Sequence, residues 1–132
     1  MRRAFAVLFL GLGLTGPALA DPSAIRTVIK DQIAAFERDD FEQAFTHASP
    51  TIQQMFRTPD RFGEMVQQGY PMVWRPEDVR FLEIDEQAGR FYQPVIIRDG
   101  QGALHILDYE MIEGEAGWKI DGVRLRAPAG AV

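Results

Sequence analysis

The feature that most constrains the fold is a proline-bracketed heptapeptide near the middle of the chain, Tyr70-Pro71-Met72-Val73-Trp74-Arg75-Pro76. Each Pro lacks an N–H and pushes the residue before it toward extended geometry, so the stretch is expected to stop helix and act as a hinge. Apolar spacing changes across it. Before it, Ile25, Val28, Ile29, Ile33 and Phe36 recur at helical intervals, on a helix that starts at Asp21-Pro22 and ends near Arg38. After it, apolar residues alternate in four strand-like runs, at 79–85, 90–98, 103–112 and 118–126. Gly89, the segment 99–102, and Gly114 with Gly117 separate these runs, which predicts antiparallel hairpins. The fold class is therefore α+β, with N-terminal helices packed on a four-stranded, mostly antiparallel meander, in one domain over residues 21–132.

Local signals refine this outline. Asp40 with Gln43 has the spacing of a capping box, and Ser49-Pro50 and Thr58-Pro59 each read as a cap followed by Pro at the first helical position. Three short helices are expected from these starts, the last closed by Gly69. Pro94 cannot donate to a ladder, so its strand is bulged there or turns that position to an open edge. Trp118 and Ile120 share one parity and Val123 and Leu125 the other, which one extra residue at Asp121-Gly122 reconciles as a β-bulge. The run at 103–112 is apolar on both parities. That predicts a central strand covered on both faces, with a second copy of the chain on the face the helices leave, a homodimer through the sheet.

The N-terminus has the pattern of a secretory signal peptide over residues 1–20. Arg2 and Arg3 precede an apolar run at 4–14, and Ala18-Leu19-Ala20 matches the small-x-small pattern, placing cleavage between Ala20 and Asp21. About 11 apolar residues are too few to span a bilayer, which takes about 20. The chain has no Cys, so neither a lipid anchor nor a disulfide is expected, and the remaining 112 or so residues must rely on a hydrophobic core. Without Arg2 and Arg3, twelve basic side chains face nineteen acidic ones, a net charge of about −7. That balance disfavours nucleic acid and anionic membrane surfaces as partners. The expected location is periplasmic or secreted, without a membrane anchor after cleavage.

The ending Gly117-Trp118-Lys119-Ile120-Asp121-Gly122-Val123, after helices and a meander, is similar to the C-terminal pattern of the nuclear-transport-factor-two-like superfamily. That resemblance implies a cone-like fold with a pocket at its mouth. Ala48-Ser49-Pro50-Thr51-Ile52, Thr58-Pro59-Asp60-Arg61-Phe62, Gly69-Tyr70-Pro71 and Trp74-Arg75-Pro76, in that order, resemble the exported bacterial family of domain of unknown function 4864. This second resemblance covers nearly all of residues 21–132. It implies a family and no activity.

Catalytic signals are sparse. Beyond the leader the only serines are Ser23 and Ser49, both at helix starts, and no Gly-x-Ser-x-Gly elbow is present. His47 and His105 lack metal-ligand spacing, Asp39-Asp40 and Asp85-Glu86 read as a cap and a turn, and no phosphate loop precedes a helix, so no metal or cofactor is expected. The cone resemblance leaves one catalytic arrangement: His105 or Asp108 as base and Tyr109 as hydrogen-bond donor, His105 and Tyr109 standing four apart on one strand face. Tyr70 and Trp74 in the hinge, with Tyr109 and Arg80, are the candidate ligand-binding residues. The favoured expectation is a non-catalytic module that binds a small amphipathic ligand or a protein partner. The alternative is a small cone-type isomerase, dehydratase or hydrolase.

Overall fold

A computed structural model describes residues 21–126. The expected leader at 1–20, with Ala20 of the expected cleavage site, lies outside the described residues. Five helices come first: α1 Pro22–Glu37, α2 Phe41–Thr46, α3 Pro50–Phe56, α4 Pro59–Gly69 and α5 Pro71–Trp74. Each of the first four begins at a side-chain cap. Asp21 accepts from the amides of Ser23 and Ala24, Asp40 from Gln43, Ser49 from Ile52 and Thr58 from Arg61. The Asp40 box is only half made, because the Gln43 amide turns forward to Thr46 Oγ1 instead of back to the cap.

The hinge holds more structure than its prolines suggest. Tyr70 and Arg75, the residues before Pro71 and Pro76, do leave the helical region, with ψ of 55° and 71°. Between them the chain still closes the single turn α5, with the amides of Val73 and Trp74 donating to Tyr70 O. Pro at the first helical position gives up no intrahelical bond, which is why a turn fits there.

Five strands follow, β1 Asp78–Phe81, β2 Asp85–Gln87, β3 Arg90–Arg98, β4 Leu104–Gly114 and β5 Gly117–Leu125. They form one open antiparallel sheet in the order β1-β3-β4-β5, with β2 also paired to β3. The expected first run is thus two strands. Phe81 faces Val95 and Asp85 faces Tyr92, so residues 82–84 oppose only Gln93 and Pro94. Pro94 causes the break. Its carbonyl accepts from Leu82 N at 3.0 Å, and since a strand residue's N and O point to one side, its donor-less nitrogen faces the same neighbour. At the other edge Glu110 pairs with Gly122 and Met111 with Ile120, leaving Asp121 as the extra residue of the expected bulge.

The helices cover one face of the sheet. Val95, Ile97, Leu107, Tyr109 and Met111 are buried there against Ile25, Ile29, Ile33 and Phe36 of α1. Phe62 of α4 joins the layers, with ring centroids 5.3–5.7 Å from Phe36, Phe45 and Phe56. Gly63 lets α4 approach, since a Cβ there would sit 2.6 Å from the Phe41 ring. The other parity of β4 is not covered by any of the described residues: Ile106, Asp108 and Glu110 are half-buried and Ile112 is exposed. No helix among the described residues is long and apolar enough to cross a membrane.

Candidate functional site

Between the helices and the sheet lies a cavity of about 230 Å³. Its walls come from four sources: Gln32 and Phe36 of α1, Ile52, Met55 and Phe56 of α3, Phe62, Met65 and Val66 of α4, and Tyr109, Ile120 and Val123 of the sheet. Tyr70 and Val73, from the hinge, close one side. No ionisable side chain other than the two tyrosines lines it.

The start of α3 is pinned to β5 at one edge of the cavity. Ser49, wholly buried, uses its hydroxyl twice: it caps α3 through Ile52 N and donates to Asp121 Oδ1 at 2.6 Å. Backbone bonds reinforce this clasp, with Ser49 N donating to Ile120 O and Ile120 N to His47 O. The bulge residue Asp121 is thereby tied to the start of α3, and Gln53 of α3 reaches back to Phe45 O and Ala48 O. No residue of α3 is fully buried, and Met55 is 64% exposed at its rim. The helix therefore roofs the cavity without filling it.

Three polar side chains line the walls. Gln32 donates to Ala44 O at 3.1 Å, and the Tyr70 hydroxyl donates to Val123 O at 3.2 Å. Tyr109 differs: it is wholly buried and its hydroxyl has no hydrogen-bond partner among the described residues. Burial raises its pKa well above the ordinary phenol value, with the nearby Tyr70 adding in the same direction, so the phenol stays protonated. An unmade hydrogen bond at a buried hydroxyl costs about 1–3 kcal/mol, and such a group in a native fold calls for an explanation.

The structure brings Tyr70 and Tyr109 together on this wall and leaves the other expected site residues outside it. His105 Nε2 lies 2.9 Å from Asp99 Oδ2, in the turn before β4. That contact, with amides of Ala103 and Gln101, holds the Asp99 carboxyl below its usual range. Four strand positions separate His105 from Tyr109, roughly 14 Å at about 3.4 Å per residue. Asp108 points to the opposite face, where both oxygens accept from Arg126 at 2.8 Å. Trp74 donates to Asp39 Oδ1 at 2.9 Å beneath the Arg75 guanidinium, and Arg80 is an exposed edge residue beside Asp78. Among the described residues no group of three or more His, Asp or Glu is placed to hold a metal.

Of this lining only Tyr70 and Tyr109 are expected from the sequence; among the residues missed are Gln32, Met55, Phe56 and Met65. Gln32 carried a usable signal, since it interrupts the apolar stripe of α1 between Ile29 and Ile33 and is nevertheless buried. A second hollow, of about 340 Å³, lies between the β2–β3 turn and strands β4 and β5. Its one cation, Arg90, is already paired with Glu110 at 2.6 Å.

The family whose pattern matches residues 18–131 is Domain of unknown function (DUF4864), and the chain belongs to it. No curated protein and no solved structure matches the chain.

Proposed function

We propose that this chain is a binding module for a small amphipathic ligand, held in the cavity between α3, α4 and the sheet. One observation carries this reading: an apolar cavity lined in part by Tyr109, whose hydroxyl is buried with no partner among the described residues. Binding sites of this type combine a mainly apolar lining with a few oriented polar groups, and about 230 Å³ falls below the usual drug-sized range, so the ligand is small. Binding is favoured over catalysis because no carboxylate or imidazole lines the cavity, and proton-transfer chemistry needs such a base within reach of the substrate. The leader pattern at 1–20 supports a module that works after export, and helices over one face of an antiparallel sheet with a cavity between them are compatible with a relationship to the nuclear-transport-factor-two-like superfamily.

Protein purified from its own host, denatured and extracted with organic solvent, should release a small molecule at near-stoichiometric yield. Ile52→Trp, which puts a bulky ring at the half-buried α3 wall, should abolish its recovery while leaving the fold intact. Empty wild-type extracts, together with no saturable shift of the Met55 and Met65 methyl resonances by small amphipathic probes, would overturn the reading.

A further inference from the structure

We propose that the ligand of this cavity is uncharged, of about one ring or a short chain, and carries a carbonyl, ether or hydroxyl oxygen that accepts a hydrogen bond from Tyr109. The inference rests on the cavity being a binding site and goes further by fixing the ligand's chemistry.

Three observations converge on it. The first is size. An apolar protein cavity of about 150 Å³ accepts a molecule the size of benzene, so about 230 Å³ accommodates one ring with a small substituent. The second is charge. The lining holds no Lys, Arg, His, Asp or Glu, so an ionised ligand would surrender its hydration with no opposite charge to meet it. The third is a buried hydroxyl left without a partner. Gln32 Nε2 donates to Ala44 O and the Tyr70 hydroxyl to Val123 O, whereas the Tyr109 proton has no acceptor among the described residues. A phenol that remains protonated offers one O–H, and an acceptor oxygen on the ligand is what completes it.

The hydroxyl itself is fully buried, so the ligand's oxygen reaches it when a wall side chain gives way. The walls contain two thioethers suited to this, Met55 at the exposed rim and Met65 on α4. Methionine's unbranched side chain re-packs at low cost, which lets a cavity close around an occupant.

The test uses two probes of one shape, acetophenone and α-methylstyrene, in which a CH₂ replaces the carbonyl oxygen, with benzoate as the charged analogue. Dissociation constants are read from the Met55 and Met65 methyl resonances in wild type and Tyr109→Phe. The hydrocarbon leaves water more readily, so the informative quantity is how the ratio of the two constants changes between the proteins. Tyr109→Phe should weaken acetophenone relative to α-methylstyrene by about five- to ten-fold, the worth of one buried neutral hydrogen bond. Benzoate should bind most weakly at neutral pH. An unchanged ratio with both probes bound would overturn the assigned role of Tyr109 and leave the binding site standing. Benzoate binding as tightly as acetophenone would overturn the requirement for an uncharged ligand. If no probe moves either methyl, the binding site itself is refuted.

Discussion

Gln93 and Tyr109 face each other across β3 and β4, on the same side of the sheet and equally buried, but they live under opposite regimes. Gln93 uses its whole amide: Nε2 donates to Leu82 O at 2.6 Å and to Pro94 O at 2.8 Å, while Oε1 accepts from Arg26 Nε at 3.1 Å. Arg26 also reaches Leu82 O at 3.0 Å, so the gap between β1 and β2 is mended by side chains from β3 and α1. Tyr109 has no such neighbours. Above it lies the hollow framed by α3 and α4 instead of an interrupted strand with free carbonyls. The contrast teaches that one layer of the sheet is sealed where the backbone needs partners and left open where it does not.

The largest expected effect breaks the sealed side. Gln93→Leu keeps the volume but removes three hydrogen bonds, at about 1 kcal/mol each, so urea denaturation should show a loss of about 3 kcal/mol. Ser49→Ala attacks the frame of the hollow side. It removes a helix cap and a bond to a carboxylate, for a loss of about 2 kcal/mol by the same measurement. Tyr109→Phe should have the opposite sign, raising stability by about 1 kcal/mol, because only an unpartnered oxygen is removed. A destabilised Tyr109→Phe would show that the hydroxyl has a partner after all, and the two sides would cease to differ.

The smallest effect concerns His47, whose Nε2 is the other buried polar side-chain atom without a partner among the described residues. Burial lowers its pKa below the ordinary histidine value; Asp31 opposes the shift and Lys119 assists it. The unfolded chain therefore takes up a proton near pH 6.5 that the folded one resists. This contribution to stability is complete above about pH 6.5 and declines as pH falls toward the lower folded value. The slope of the urea midpoint between about pH 5 and 7 should flatten in His47→Gln, and an unchanged slope would show that His47 is hydrated when folded.

What could be read in advance depended on the range of the interaction responsible. Helix starts were legible because Asp21, Ser49 and Thr58 cap residues two or three positions away. The bulge at Asp121 was legible because a slip in parity leaves a mark within one strand. The interruption of the first run was not, since Pro94 and Gln93 act on it from β3 and Arg26 acts from 56 positions away. For the site, strand parity placed His105 and Tyr109 on one face, but only the folded turn shows Asp99 holding His105 outside the cavity. Met55, Phe56 and Met65 have the spacing of ordinary core positions on their helices. Apolar residues around a hollow have the same spacing as apolar residues in a filled core, so the pattern does not separate the two.

The clasp between Ser49 and Asp121 also sets an order of events in time. Its partners are 72 positions apart, and the loop between them includes α3, α4, α5 and the first four strands. Contacts at such separation are slow to form, because chain closure must be completed before they return any stabilisation. Early in folding α1 and α2 can pack as neighbours, while the roof over the cavity waits for the last strand. A chain that ends before Trp118 lacks Ile120, Asp121 and Val123, and with them the anchor of α3 and part of the cavity wall. The hollow is thus expected to be the last feature of the molecule to form and the first to be lost when β5 frays.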